Sequence, residues 1–167
     1  MASQEEIRTI RLQKLEKLKQ AGVNPYPIST NRDFTLEQVA DKFAALEKKG
    51  KPVSLAGRVM SLRPQGGLVF FNLYDGTGKF QGLLKKEEVD EKVFNLFGDT
   101  VDIGDFIQVR GTLFVTKRNE KTLLVKEWAM LAKSLLPLPE KWHGLQDVEE
   151  RFRKRYLDLL MSEEVKK

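Results

Sequence analysis

The apolar residues of the first fifty positions recur at helical spacing. Each of two stretches is preceded by a capping box, in which two side chains three residues apart each bond the other's backbone N–H. The boxes pair Ser3 with Glu6 and Thr35 with Gln38. Gly22 and Gly50 supply the stop signals, because glycine readily adopts the left-handed conformation that ends a helix. The spacing therefore predicts two helices in an N-terminal helical extension over residues 1–50.

From residue 52 onward the apolar residues alternate with a period of two, which is typical of strands. Five such segments lie at 53–62, 68–74, 79–84, 106–116 and 122–131. Residues 75–78 (Asp-Gly-Thr-Gly) predict a hairpin turn, and residues 87–97 return to helical spacing before Gly98. Three strands, a helix and two strands follow the order of the OB-fold, a five-stranded barrel that binds oligonucleotides on the face of strands 2 and 3. The predicted fold class is mainly β with flanking helices (α+β), with the barrel over residues 51–134.

The segment after the barrel predicts a linker and a further helix. Residues 135–139 contain two prolines, and Asp147 with Glu150 forms a third capping box ahead of a helical stretch. At Ser162 the pattern begins another helical turn that no cap ends. We therefore expect residues 135–167 to be a linker and helices, and the sequence to be cut from a longer protein.

The amino-acid composition excludes some kinds of functional site and favours others. The 167 residues include no cysteine and one histidine, His143, which excludes thiolate metal sites and disfavours a metal or Ser-His-Asp enzyme. His143 is best explained as a packing or capping residue. No apolar stretch approaches the roughly 20 residues of a membrane helix, which predicts a cytoplasmic protein with no membrane partner. The 29 basic and 24 acidic residues give a net charge of +5, which suits a nucleic-acid partner and is also ordinary for a soluble protein.

The outer face of the second strand predicts a base-stacking surface. Strand alternation puts one set of side chains in the core and the other set on the outside. The core set is Val69, Phe71 and Leu73. Phe70 lies on the outer face beside Asn72, where an aromatic ring is costly in water unless a base, a loop or the first helix covers it.

Polar residues extend this surface. Gln81, on the third strand, offers both a donor and an acceptor to a base edge. The cations suited to phosphate are Arg63, Arg58 and Lys79 on the strands, and Arg11 and Lys14 on the first helix. For the strand residues a solvated basic face is an equal alternative. For the helix residues a docked surface helix with extended cationic side chains is the first interpretation, and the RNA contact is the alternative.

Three short motifs spread along the chain carry a family resemblance. Residues 22–27 read Gly-Val-Asn-Pro-Tyr-Pro, residues 142–145 read Trp-His-Gly-Leu, and residues 155–159 read Arg-Tyr-Leu-Asp-Leu. The last motif alone is shared with aspartyl and asparaginyl relatives. Together, over essentially all 167 residues, they resemble the N-terminal anticodon-binding region of class II lysyl-tRNA synthetases of the bacterial type.

The resemblance implies a role for four residues. In that family the barrel recognises the uridine-rich anticodon loop of lysine tRNA. Phe70 matches the aromatic that stacks on the middle anticodon base, Gln81 the amide that reads a base edge, and Arg63 the basic residue beside it. Glu120 matches an acidic anticodon contact, although its place in a turn between strands is also explained by the hairpin alone. Asn119 stands where the family has glycine.

The resemblance also implies an enzyme larger than this chain. The family's homodimeric ligases activate lysine with ATP and magnesium and transfer it to tRNA, whereas residues 152–155 (Phe-Arg-Lys-Arg) lack the glutamate of the class II ATP-binding motif. We expect no catalytic residue, cofactor or metal site in this chain. A freestanding OB-fold protein for single-stranded nucleic acid and a protein-interaction or dimerisation module, using the apolar stripe of residues 7–21, are the alternatives.

Overall fold

A computed structural model describes residues 2–139 and 147–162. The helices are α1 (Gln4–Gln20), α2 (Leu36–Asp41), α3 (Phe43–Lys49), α4 (Glu91–Thr100), α5 (Val148–Arg153) and α6 (Arg155–Met161). The strands are β1 (Val53–Gln65), β2 (Leu68–Tyr74), β3 (Lys79–Lys85), β4 (Phe106–Val115) and β5 (Lys121–Ala132). The element order confirms the predicted five strands with one helix between the third and the fourth.

The five strands close into a barrel in the order β1-β2-β3-β5-β4. The β3–β5 pair is parallel, and the other four pairs are antiparallel. This arrangement confirms the predicted OB-fold. The parallel pair places residues 81 and 122 side by side, although they are far apart in sequence.

Aromatic side chains fill one end of the barrel. Phe71 of β2 contacts Phe97 of α4 with ring centroids 5.5 Å apart. The rings of Phe97 and Trp128 are perpendicular, with centroids 5.2 Å apart. The β3 position opposite Phe71 must be glycine, since a Cβ on Gly82 would lie 2.2 Å from the Phe71 ring. The alternation of buried and half-buried residues along β2 confirms the predicted core set.

The boundaries of α4 differ from the prediction. The chain first makes a 3₁₀ turn at Lys86–Glu88, and α4 then begins after its N-cap Asp90 and passes through Gly98 to Thr100. Buried Phe97 and Thr100 hold the last turn against the barrel. Tertiary packing therefore outweighs the stop signal of a glycine that has open space around it.

The predicted single helix after Thr35 is two helices. Its capping box with Gln38 is present, but the helix is interrupted at Lys42, whose φ and ψ are −91° and 9°. The first piece, α2, packs on β3 and the second, α3, packs on β4. Two short helices with a break between them follow the curved barrel wall where one straight helix would not. The helix after Asp147 is likewise split, at Lys154.

The turn between β2 and β3 is tied to the start of α2 by Asp75. Its carboxylate accepts hydrogen bonds from the backbone N–H of Leu36 at 2.9 Å and of Thr77 at 2.9 Å. Burial alone would raise the pKa of this carboxyl, but hydrogen bonds from the Thr77 hydroxyl and three backbone N–H groups lower it. The carboxylate therefore fixes the predicted hairpin turn to the N-terminal extension.

Candidate nucleic-acid interface

Four polar side chains form a row across the strands of the barrel, half-buried on β1 and β2 and buried on β3 and β5. Ser61 of β1, Asn72 of β2, Gln81 of β3 and Thr122 of β5 are successive register partners, and we term these four residues the polar row. Asn72 Nδ2 donates to Ser61 Oγ at 3.0 Å, and Gln81 Nε2 donates to Thr122 Oγ1 at 2.9 Å. Hydrogen bonds within two pairs thus hold these side chains in place.

Phe70 lies beside the polar row on the same face. It is two residues from Asn72 along β2, and its register partners are Arg63 on β1 and Leu83 on β3. Leu83 is buried, whereas Phe70 remains half-buried. The predicted outward aromatic ring therefore keeps a surface on which a planar group can stack.

Arg63 and Glu120 connect to the two ends of the Gln81–Thr122 pair. Arg63 Nη2 donates to Gln81 Oε1 at 3.3 Å, and the Thr122 hydroxyl donates to the backbone oxygen of Glu120 at 3.1 Å. A chain of hydrogen bonds thus joins three of the four residues that were predicted to bind the anticodon. The fourth, Phe70, adjoins the chain through its register partner Arg63.

Glu120 sits in the tight turn between β4 and β5. Thr116 and Glu120 fix the turn, because the Thr116 N–H donates to the Glu120 oxygen at 3.0 Å and the Glu120 N–H donates to Thr116 Oγ1 at 3.1 Å. Asn119 has φ +62°, a left-handed conformation that glycine adopts freely and asparagine tolerates. The turn keeps the shape that a glycine would give, and the Glu120 residue is exposed.

Arg58 and Lys79 lie at the other end of β2, where both are register partners of Tyr74. The Arg58 guanidinium stacks 4.3 Å from the centroid of the Phe106 ring and donates to the Gly104 oxygen at 3.3 Å. Burial lowers the pKa of Arg58. Lys79 is exposed. Their partner Tyr74 is four residues from Phe70 along β2, so both cations lie on the opposite side of the polar row from Phe70.

Arg11 does not occupy the position that the prediction of an RNA-backbone contact requires. It is only 7% exposed, and its guanidinium donates to the backbone oxygens of Ile103, Ser134 and Leu136 at 3.0–3.1 Å. These carbonyls come from distant parts of the chain, so the helical pattern of α1 gives no sign of them. Arg11 is a structural residue that ties α1 to the segment leaving the barrel.

Lys14 is also held by the fold. Its ammonium group pairs with Asp102 at 2.5 Å, and Asp102 pairs in turn with the fully buried Lys133 at 2.6 Å. Burial would raise the pKa of Asp102, but the hydrogen bonds from Lys133 and Lys14 lower it. A carboxylate thus neutralises the charge that Lys14 was predicted to offer to RNA.

The surface around Phe70 and the polar row lies in a part of the chain that is similar to a known family. Residues 53–131 match the model of the tRNA anticodon family, described as an OB-fold nucleic acid binding domain. These residues are similar to that domain. The matched residues span all of β2 and β3 and contain every member of the polar row.

Curated relatives extend the likeness to nearly the whole chain. Lysine–tRNA ligases of a Nostoc species, Dehalococcoides mccartyi and Methanoculleus marisnigri are 43%, 42% and 43% identical to it over 98%, 95% and 93% of its residues. The chain spans 31–32% of the length of these relatives. The predicted likeness to the N-terminal region of lysyl-tRNA synthetases is confirmed.

The OB-fold domain and its flanking helices show no sign of a metal centre. Within residues 2–139 and 147–162, no three His, Cys, Asp or Glu side chains are grouped to hold an ion.

None of the helices described is long and apolar enough to cross a membrane. His143 and the motif at residues 142–145 lie outside the described residues.

Sequence reasoning missed two members of the surface. Thr122 was placed in the fifth strand but not at the site, because its pairing with Gln81 depends on the parallel β3–β5 contact. Ser61 lies beyond a register irregularity between Val59 and Ser61 that shifts the outward face of β1. The known strand order of the OB-fold could have suggested Thr122, whereas nothing in the local pattern marks the irregularity.

Proposed function

We propose that this chain binds the anticodon loop of lysine tRNA and belongs to a lysine–tRNA ligase. One observation carries the proposal: the half-buried Phe70 lies beside a fixed amide, Gln81, and a cation, Arg63, on the outer face of an OB-fold nucleic acid binding domain. Stacking, edge reading and charge are the three contacts by which proteins recognise single-stranded RNA bases. The relatives' names supply the amino acid and its tRNA.

In this proposal each residue makes one contact with the RNA. A splayed loop base stacks on Phe70, a contact of roughly 1–3 kcal/mol per base. The Gln81 amide pairs with a Watson–Crick edge, and Arg63 holds the adjoining phosphate or base. The carboxylate of Glu120, on the neighbouring turn, accepts from a base N–H. Arg58 and Lys79 at the Tyr74 end of β2 contact the backbone of the RNA.

We extend the proposal to the longer protein. Residues 1–50, 51–134 and 135–167 serve there as helical extension, barrel and approach to the catalytic domain of a cytoplasmic, homodimeric ligase that uses ATP and magnesium. Among residues 2–139 and 147–162, no three His, Cys, Asp or Glu side chains lie together to hold a magnesium ion. The ligase chemistry therefore belongs to the remaining two thirds of the relatives' length, and this chain alone should not charge tRNA.

Removal of the stacking ring tests the proposal. We expect Phe70→Ala to weaken binding of a stem-loop with a UUU anticodon by roughly tenfold, the loss of one stacked base, in fluorescence anisotropy. Phe94→Ala is the matched control, because Phe94 is also half-buried but packs on the barrel from α4. It should leave affinity unchanged at a temperature where both variants are folded.

The alternatives predict other results. A freestanding single-strand binder would bind stem-loops of any anticodon with a steep salt dependence. A protein-interaction module would bind no RNA. The stripe of α1 that such a module would use is partly covered, because Leu15 and Leu18 are buried while Ile10 is 49% exposed.

A further inference from the structure

The amide of Gln81 offers its two ends to a base in one of two orientations, since a half-turn exchanges the N–H₂ group and the oxygen. The Thr122 hydroxyl decides between them. Its one hydrogen is donated to the backbone oxygen of Glu120, so only its lone pairs remain for Gln81. The group that faces those lone pairs must be a donor, which is Gln81 Nε2 at 2.9 Å.

A second contact supports the same orientation but is less permanent. Arg63 Nη2 donates to Gln81 Oε1 at 3.3 Å, and Arg63 is exposed. Its guanidinium is free to turn toward an RNA phosphate. Thr122, by contrast, is 0% exposed and is held in β5 between its register partners. When Arg63 turns to bind RNA, the hydrogen bond to Thr122 still holds the Gln81 amide in place.

We infer that Thr122 is a positioning residue that fixes the Gln81 amide and thereby sets the preference for uracil over cytosine. The inference rests on the proposed function, in which Gln81 reads a base edge. Uracil presents an acceptor, O4, beside the N3–H donor, whereas cytosine presents a donor, N4–H₂, beside an acceptor. If the amide cannot turn, its donor and acceptor match one of these two base patterns. Against the other base they place donor against donor and acceptor against acceptor.

Substitution of Thr122 tests the inference with a matched pair. Thr122→Val keeps the branched shape and removes the hydroxyl, and Thr122→Ser keeps the hydroxyl. Affinities are measured by anisotropy for two stem-loops that differ only at the middle anticodon base, UUU and UCU. We expect wild type and Thr122→Ser to prefer UUU, and Thr122→Val to lose about three- to tenfold of that preference, the worth of one hydrogen bond.

The outcomes separate the inference from the proposed function. A wild-type protein without a preference for UUU contradicts the proposed function. A preference that survives in Thr122→Val at the level of Thr122→Ser contradicts only the role of Thr122. Loss of the preference in both variants also contradicts it, because serine retains the hydroxyl.

An NMR measurement on the wild-type complex covers the case in which Thr122→Val does not fold. We expect a nuclear Overhauser effect between the side-chain amide protons of Gln81 and the Thr122 methyl group. Its absence, with contacts from those protons to Arg63 instead, would place the amide in the opposite orientation and overturn the inference.

Discussion

Lys133 places its ammonium group where water does not reach it. Its side chain is 0% exposed and pairs with Asp105, also 0% exposed, at 2.7 Å and with Asp102 at 2.6 Å. Asp105 also accepts from the Ser134 N–H at 2.8 Å and the Asp102 N–H at 2.7 Å. This fully bonded cluster joins the loop after α4 to the end of β5.

Breaking the cluster from one side should be costly. We expect Lys133→Met to lower the free energy of unfolding by about 3–5 kcal/mol, because it leaves Asp105 charged and buried without its partner. Lys17→Met is the control, since Lys17 pairs with Asp99 on the surface with both side chains about half exposed, and exposed pairs contribute at most about 1 kcal/mol. Urea unfolding measures both, and equal losses in the two variants would contradict the account.

The sequence predicts the environment of some residues and not of others. Phe70 and the core residues of β2 follow from strand alternation, a local property. The environment of Arg11 does not, because its acceptors lie 92 to 125 residues away along the chain. A cation within an amphipathic helix looks the same in the sequence whether it faces a phosphate or three backbone oxygens.

At the scale of elements, α1 is attached by specific contacts rather than by a broad apolar face. Leu15 and Leu18 are buried, and Arg11, in the middle of the helix, donates to three backbone oxygens in the segments before β4 and after β5. The capped starts of α1, α2 and α5 and most strand limits are predicted well, because caps and alternation are local. The break at Lys42 and the passage of α4 through Gly98 depend on the barrel wall, which no local signal describes.

Arg11→Met should loosen α1 while leaving RNA binding intact. We expect a loss of about 1–3 kcal/mol in unfolding free energy, because three partly buried backbone oxygens lose their donor. Amide hydrogen exchange in α1 should rise before exchange in β2 or β3 does. Stem-loop affinity should match the wild type. A weaker affinity without a change in stability would instead support the RNA contact that the sequence predicted for Arg11.

At the scale of the whole molecule, several basic residues are paired with acidic residues within the fold. Lys14, Lys133 and Lys17 all pair with acidic residues near α4 and the loop after it. Arg63, by contrast, is exposed on β1 and donates to the Gln81 amide. The net charge of +5 predicts attraction to RNA in general, and selectivity must come from the surface around Phe70 and Gln81.

The measurement that tests the central claim most directly compares two stem-loops that differ only in the anticodon. The wild-type chain is titrated by anisotropy with a UUU loop and with a loop whose three anticodon bases are changed, at two salt concentrations. We expect tighter binding of the UUU loop at both, because stacking and edge reading at Phe70 and Gln81 persist when salt screens the phosphates. Equal affinity for the two loops, or no binding to either, would contradict anticodon recognition by this barrel.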